Sequence, residues 1–270
     1  MYGFLGPNGS GKTTTIRCLL GLVRPDDGAC EVLGSQVPSA LPSVIGRVGS
    51  MVETPTFFRG FSGRRNLEIL ALASGVSRSA IDPALERVDL ADRADDRFGT
   101  YSLGMKQRLG LASVLMKDPE LLVLDEPANG LDPAGLKDVR DLLRSLADEG
   151  RTVFLSSHLL GEVQAICDSV AILARGRCIA QGPVDEVLAV RGGSAFVVRA
   201  PNIRKAKTAL HAAGFPATFR GDKSLRVAAP LNAAGKITRA LADSGIYLTE
   251  LRPEEISLEA VFLELTEDAP

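Results

Sequence analysis

Gly6-Pro7-Asn8-Gly9-Ser10-Gly11-Lys12-Thr13 fits the pattern G-x-x-x-x-G-K-[ST]. Ahead of it, Tyr2-Gly3-Phe4-Leu5 reads as the end of a short buried strand. Behind it, Thr13 to Leu20 reads as the first turns of a helix. This strand–loop–helix context is what the pattern requires. Glycines permit positive φ and close approach of the backbone. Successive N–H groups then point inward, and the helix N-terminus adds roughly half a positive charge. The loop therefore suits a nucleoside triphosphate, with Gly6, Pro7, Asn8, Gly9, Ser10, Gly11 and Thr14 around the phosphates. Lys12 is expected to reach the β- and γ-phosphates, and the Thr13 hydroxyl to bind Mg²⁺.

Outward from the loop, strands alternate with helices, which predicts an α/β sheet. Short strands are expected at Ala29–Leu33, after the Pro25-Asp26-Asp27-Gly28 turn, and over Val44–Val52. Residues 62–117 read as mostly helical, with apolar residues at helical spacing over 65–73 and 79–88. Leu121-Leu122-Val123-Leu124 is a continuous apolar run, as in a parallel strand buried on both faces. Pro133 to Ala147 reads as a helix, with Asp132 as its N-cap and Gly150 just past its end. A strand at 152–156, a helix at 159–166 and a hairpin of 169–173 with 177–180 around Gly176 complete this part. The chain changes character at Arg191-Gly192-Gly193-Ser194. Beyond it the order is strand 195–199, helix 203–213, strands 217–220 and 224–227, helix 232–244 and strand 247–251. That βαββαβ order predicts a small α+β unit of ferredoxin-like type, closed by a last helix at 258–265.

Composition narrows the field. The 270 residues suffice for one large or two modest domains. Lys plus Arg number 31 and Asp plus Glu 33, a net charge of −2, which gives nucleic-acid binding no support from overall charge. Cys18, Cys30, Cys167 and Cys178 are scattered without a C-x-x-C, which suggests free thiols in a reducing cytoplasm. No run reaches 18 consecutive apolar residues, as a candidate membrane span would, so a membrane role would come through a partner subunit.

Leu121 to Leu124 leads into Asp125-Glu126-Pro127. Strand ends of open α/β sheets face the ligand, so Asp125 is expected to hold Mg²⁺ and Glu126 to polarise a water for in-line attack on the γ-phosphate. Tyr101-Ser102-Leu103-Gly104-Met105-Lys106-Gln107 precedes a helix, with Ser102 as a plausible N-cap and Gly104 leaving the N-terminus open to an anion. Together these segments resemble the ABC-type ATPases over residues 1 to about 190, through five motifs in order. They are the phosphate loop, a Q-loop equivalent at Glu53, the signature at Ser102 to Gln107, the Leu121–Glu126 segment, and the D-loop Asn129-Gly130-Leu131-Asp132 followed by the switch histidine His158.

The resemblance implies a P-loop ATPase domain over residues 1–190, with a helical subdomain at about 54–117, and a small C-terminal domain over 195–270. It implies a head-to-tail homodimer in which one copy's phosphate loop and the other's signature enclose each ATP. Ser102, Gly104 and Gln107 would then act across the dimer. Glu126 and His158 are the implied catalytic residues, and Thr13, Glu53 and Asp125 the implied Mg²⁺ ligands. Glu53 stands where most relatives have glutamine, and Ser-Leu-Gly-Met-Lys-Gln replaces Ser-Gly-Gly-Gln. Both variants, and the C-terminal Leu258–Leu265 segment, resemble the branch that exports drugs, bacteriocins and lantibiotics. Pro55, Phe57, Phe58 and Phe61 are then candidates for contact with permease subunits, at the cytoplasmic face of the membrane. His211, on an amphipathic helix, is expected to face solvent.

The family also has about 30 residues ahead of the loop strand, including antiparallel strands, which would otherwise leave an edge unpaired, and an aromatic residue that stacks on adenine. Tyr2 lies on the loop strand itself and cannot replace that aromatic, so a misplaced start or a fragment is expected. The leading reading is the ATP-hydrolysing subunit of an exporter. The alternatives are a soluble ABC ATPase and a weakly hydrolysing regulatory or immunity module.

Overall fold

The computed structural model describes residues 1–52, 56–191, 195–221, 223–254 and 257–267, without the side chains of 189–191 and 264–267. It divides into two compact units, Met1–Val184 and Asp185–Asp268.

The first unit runs β1 (Tyr2–Leu5), α1 (Lys12–Leu19), β2 (Cys30–Val32), β3 (Ser35–Val37), β4 (Val48–Met51), α2 (Gly63–Ser74), α3 (Ile81–Arg87), α4 (Leu103–Leu115), β5 (Leu121–Asp125), α5 (Pro133–Asp148), β6 (Thr152–Ser157), α6 (Leu160–Ile166), β7 (Ser169–Ala174) and β8 (Arg177–Pro183). Its six-stranded sheet has the order β4-β5-β6-β1-β7-β8. The first five strands are parallel, and β8 returns antiparallel to β7. Strands covered on both faces must be apolar on both, and Leu122, Val123 and Leu124 are all buried. Ile16 and Leu20 pack with Val32, Val48 and Val123 on one face. Leu155 and the α5 and α6 residues Val139, Leu143 and Val163 meet on the other. Register sets Leu5 beside Ser157 and Asp125 beside Ser156, so the carboxyl ends of β1, β5 and β6 open onto one place.

Two of the expected strands begin later in the chain than the sequence suggests, by three or more residues. Over 44–52 only Val48–Met51 is extended, because 3₁₀ turns at Leu41–Ser43 and Ile45–Arg47 use the preceding residues. The pairing that creates the strand begins where Val48 meets Leu121. In the second unit, the strand expected at 247–251 is Glu250–Pro253. Gly245, with φ 69°, turns the chain, and the Ile246 N–H caps Leu241 at 2.9 Å, so pairing waits until Glu250 faces Arg199.

A helix not anticipated from sequence, α7 (Val184–Arg191), follows β8. Its signals were present: Pro183 before it and Asp185 and Glu186 in its first turn. The second unit continues with β9 (Ala195–Arg199), α8 (Ile203–Ala212), β10 (Ala217–Phe219), β11 (Leu225–Ala228), α9 (Ala234–Asp243), β12 (Glu250–Pro253) and α10 (Leu258–Glu267). Its antiparallel sheet has the order β10-β11-β9-β12, the ferredoxin-like arrangement. Phe196, Val198, Leu225 and Val227 from the sheet pack against Ala206, Leu210, Ile237 and Leu241 from α8 and α9. His211 is exposed, yet its Nε2 lies 2.9 Å from the Ala217 carbonyl and 3.2 Å from the Ala217 N–H, so it also pins the start of β10.

Candidate functional site

The loop after β1 folds around its own lysine. Gly11, the N-cap of α1, has φ 104°, which side chains other than hydrogen rarely permit. Lys12 is only 6% exposed. Its Nζ donates to the Gly6 carbonyl at 2.8 Å and the Pro7 carbonyl at 3.4 Å. The Ser10 N–H reaches the Pro7 carbonyl at 3.1 Å, and the Gly176 N–H ties the Ser10 carbonyl to the β7–β8 turn at 3.2 Å. A Cβ at Gly6 would lie 2.4 Å from Ser10 Oγ and 2.6 Å from the Leu173 carbonyl, so nothing larger than glycine fits there. Pro7, Asn8, Gly9 and Thr14 are exposed around this cradle. Ser10 Oγ is buried and has no hydrogen-bond partner among the described residues. A buried hydroxyl without a partner is costly, and here it sits in a loop whose backbone geometry suits phosphate oxygens.

The ends of β5 and β6 meet this loop. Asp125 accepts from Thr13 Oγ1 at 2.7 Å through one carboxylate oxygen, and from Ser156 Oγ at 2.5 Å through the other. Ser156 is fully buried and was not among the residues singled out from sequence. The signal was available: a hydroxyl at the buried carboxyl end of a strand needs a partner. Glu126 has φ 52°, unusual for a residue with a side chain. That conformation is held by its N–H, which donates to Ser156 Oγ at 3.0 Å and the Ser156 carbonyl at 3.2 Å. Ser156 therefore holds both acids, one by its hydroxyl proton and the other as acceptor. The Glu126 carboxylate lies 3.4 Å from Lys12 Nζ and 2.8 Å from His158 Nδ1, and it accepts the His158 N–H at 3.3 Å.

Of the residues expected at the site, the structure brings Gly6 through Thr13, Asp125, Glu126 and His158 together. A carboxylate set between a lysine and an imidazole is placed for proton transfer. Thr13 and Asp125 offer the all-oxygen donors that Mg²⁺ favours. Glu53 and Pro55 lie outside the described residues.

Ser102, Gly104 and Gln107 form a second locus. Ser102 caps α4 by accepting the Met105 N–H at 3.2 Å, and Gly104 is partly exposed. Gln107 is 4% exposed, and its Oε1 has no partner among the described residues. Among those residues no hydrogen bond or ion pair joins this locus to the phosphate loop or to Glu126. Between the two loci in sequence, the segment before α2 is held by Asn66, which accepts the Phe58 N–H at 2.8 Å and donates to the Phe58 carbonyl at 3.1 Å. Phe57 packs edge-on against Phe98 at 5.1 Å, as a core residue would, whereas Phe58 and Phe61 are exposed and rest on each other at 5.5 Å. No helix among the described residues is long and apolar enough to cross a membrane.

Comparison with known proteins bears on what this geometry serves. The ABC transporter family model matches residues 1–129. The bacitracin transport ATP-binding protein BcrA of Bacillus licheniformis is 40% identical over 269 residues, covering 98% of this chain and 88% of that protein. The daunorubicin resistance ATP-binding protein DrrA3 of Streptomyces coeruleorubidus is 38% identical over 276 residues, covering 99% and 87%. A solved ATP-binding subunit of an ABC transporter superposes with a TM-score of 0.62 at 29% identity, over 70% of this chain and 80% of that one. With the phosphate loop closed on Lys12, the paired acids at the end of β5 and relatives alike over nearly their whole length, this chain belongs to the ABC transporter family as an ATP-binding ATPase subunit.

Proposed function

We propose that the chain powers export of a drug, antibiotic or similar compound through separate permease subunits, from the cytoplasmic face of the membrane. Its relatives are named for bacitracin transport and daunorubicin resistance, which supports this reading over a soluble ABC ATPase or a regulatory module. In this proposal residues 1–190 are the ATPase domain, with the helical subdomain at about 54–117, and residues 195–270 a separate C-terminal domain. Two copies associate head to tail. Gly6 through Thr14 hold the phosphates of one ATP, while Ser102, Gly104 and Gln107 of the second copy face the same nucleotide. Exposed Phe58 and Phe61 are the surface offered to a permease.

The observation that carries this is the contact of Thr13 with Asp125 at 2.7 Å beside a Glu126 carboxylate held by Lys12 and His158. Thr13 and Asp125, with Glu53, would hold Mg²⁺, which when bound supplies positive charge against the phosphate oxygens. Lys12 exchanges its bonds to Gly6 and Pro7 for phosphate oxygens. Glu126 takes the proton of the attacking water, and His158 orients the carboxylate through Nδ1.

ATP hydrolysis by the full chain and by Glu126→Gln tests this. Loss of general-base help is expected to lower kcat by about 10²–10⁴-fold while ATP binding survives. Equal rates would remove the role given to Glu126.

A further inference from the structure

Helix α9 carries its charges in the order that a helix disfavours. Acids in the first turn and bases in the last stabilise a helix through its dipole. α9 has no acid in its first turn and no base in its last. Lys236 stands in the first turn instead, and Asp243 is the final residue. Lys236 and Arg239 are like charges three residues apart, which repel on a helix surface. Arg239 and Asp243 are four apart with the base first, the weaker order for a pair. All three side chains are exposed, and none is in an ion pair among the described residues. These charges therefore give little support to the helix that bears them.

All three line one cleft of about 560 Å³ in the second unit. A concave site of about 300–1,000 Å³ suits a small molecule. Ala213 and Phe215, just past α8, and Ala240 of α9 give the cleft an apolar wall. Phe215 is half-buried and rests against the unit's core, so packing fixes its place. The cleft thus sets two cations, one acid and an aromatic face around a single space. A second cleft beside α8, of about 440 Å³, is lined by Arg204 and Lys205 without an acid or an aromatic residue.

We propose that the larger cleft binds a small amphoteric molecule, with its acid group between Lys236 and Arg239, its amine on Asp243 and its apolar body against Phe215. An anion there relieves the repulsion between the two cations and meets the positive end of the α9 dipole. An amine at Asp243 does the same for the acid at the negative end. A ligand with only one of these groups leaves the opposite charge unmatched. The site takes all its residues from the second unit and none from the phosphate loop.

The test titrates the full chain with three probes that share one ring: phenylalanine, which has both groups, 3-phenylpropanoate, which has only the acid, and phenethylamine, which has only the amine. Amide shifts in nuclear magnetic resonance spectra report binding, with Gly235, which lines the cleft, as the marker. Phenylalanine is expected to bind with a Kd of about 2 mM, the range for a ligand of about twelve heavy atoms. Each one-ended probe should bind about tenfold more weakly, as loss of one charge-assisted hydrogen bond implies. The Lys236→Gln/Arg239→Gln pair should weaken phenylalanine and 3-phenylpropanoate by about tenfold and leave phenethylamine unchanged. Asp243→Asn should weaken phenylalanine and phenethylamine and spare 3-phenylpropanoate. Lys205→Gln, in the other cleft, should alter none of the three, and the spectra themselves show that each variant is folded. No shift of Gly235 with about 20 mM phenylalanine, tenfold above the expected Kd, would overturn the site. So would 3-phenylpropanoate binding as tightly as phenylalanine, or Lys205→Gln weakening binding as much as the Lys236→Gln/Arg239→Gln pair.

Discussion

The two units use polar groups in opposite ways. In Met1–Val184, Lys12, Asp125 and Ser156 are buried and converge at the carboxyl ends of parallel strands. In Asp185–Asp268, Ser224 is the only buried polar side chain among the described residues, and its hydroxyl is spent on the Arg220 carbonyl at 2.6 Å. Its ion pairs reach solvent through their arginines, Glu250 pairing with Arg199 and Arg252 and Glu254 with Arg220 and Arg226. Pairs open to solvent contribute about 0–1 kcal/mol each. Burying a charge costs far more unless it is matched, so the buried Lys12 and Asp125 are costly to keep inward, which fits the roles proposed for them. The second unit is held by apolar packing, with no comparable cluster among its described residues.

The strongest way to break the contrast is Lys12→Ala. It removes the charge that balances Glu126 and the donor proposed for the phosphates, and should lower ATP hydrolysis by about 10³-fold, as loss of a charge-stabilising donor does. A steady-state ATPase assay reads it, and a parental rate would show that the buried lysine serves only the loop. No substitution in α8 or α9 should approach this effect.

The converse substitution is Leu241→Ala, in the second unit's core with Leu210 and Ile237. Truncating a buried leucine costs about 2–5 kcal/mol. Denaturant titration should show that unit weakened while ATP affinity stays within about twofold. A loss of ATP affinity of the same size would mean the units do not keep separate roles.

Cysteines supply a reporter for one side of the comparison, since all four lie in the first unit. Cys167 is buried, and burial pushes its thiol up to about 12. Below that pH the neutral form dominates and reacts slowly, so alkylation at pH 8 should spare Cys167 and modify exposed Cys178. Leu241→Ala should leave this protection intact, as peptide mapping after alkylation would reveal. Modification of Cys167 in that variant would tie the stability of the first unit to the second.

What the sequence disclosed follows the same division. The phosphate loop and the Asp125-Glu126 pair were legible because each is a local pattern whose chemistry demands adjacent residues, whereas His158 was read only through the resemblance. The ferredoxin-like order was legible from strand and helix spacing, although β12 began three residues late because pairing with β9, not local propensity, defines it. Ser156 escaped notice because its use depends on lying beside Asp125 in the sheet, a relation between residues 31 apart in the chain. Local signals report the loops, whereas register and packing between distant segments appear only once the sheet is assembled.

Ser156→Ala is the finest probe of that lesson. The substitution keeps strand β6 and removes one hydroxyl, which donates to Asp125 and accepts the Glu126 N–H. Losing a buried hydrogen bond that leaves a partner unmatched costs about 1–3 kcal/mol. The Glu126 N–H still has the Ser156 carbonyl at 3.2 Å, so the positive φ of Glu126 survives with a looser hold. ATP binding should change by no more than a few-fold, because Lys12 and the loop are untouched. The rate should fall by about tenfold, since a carboxylate held less firmly is misaligned for part of the time. Cysteine at this position, with a weaker donor of similar shape, should fall between the two. If the alanine variant turned over at the parental rate, the Glu126 backbone would be held by the strand alone, and the buried hydroxyl would belong to the stability of β6 instead of to catalysis.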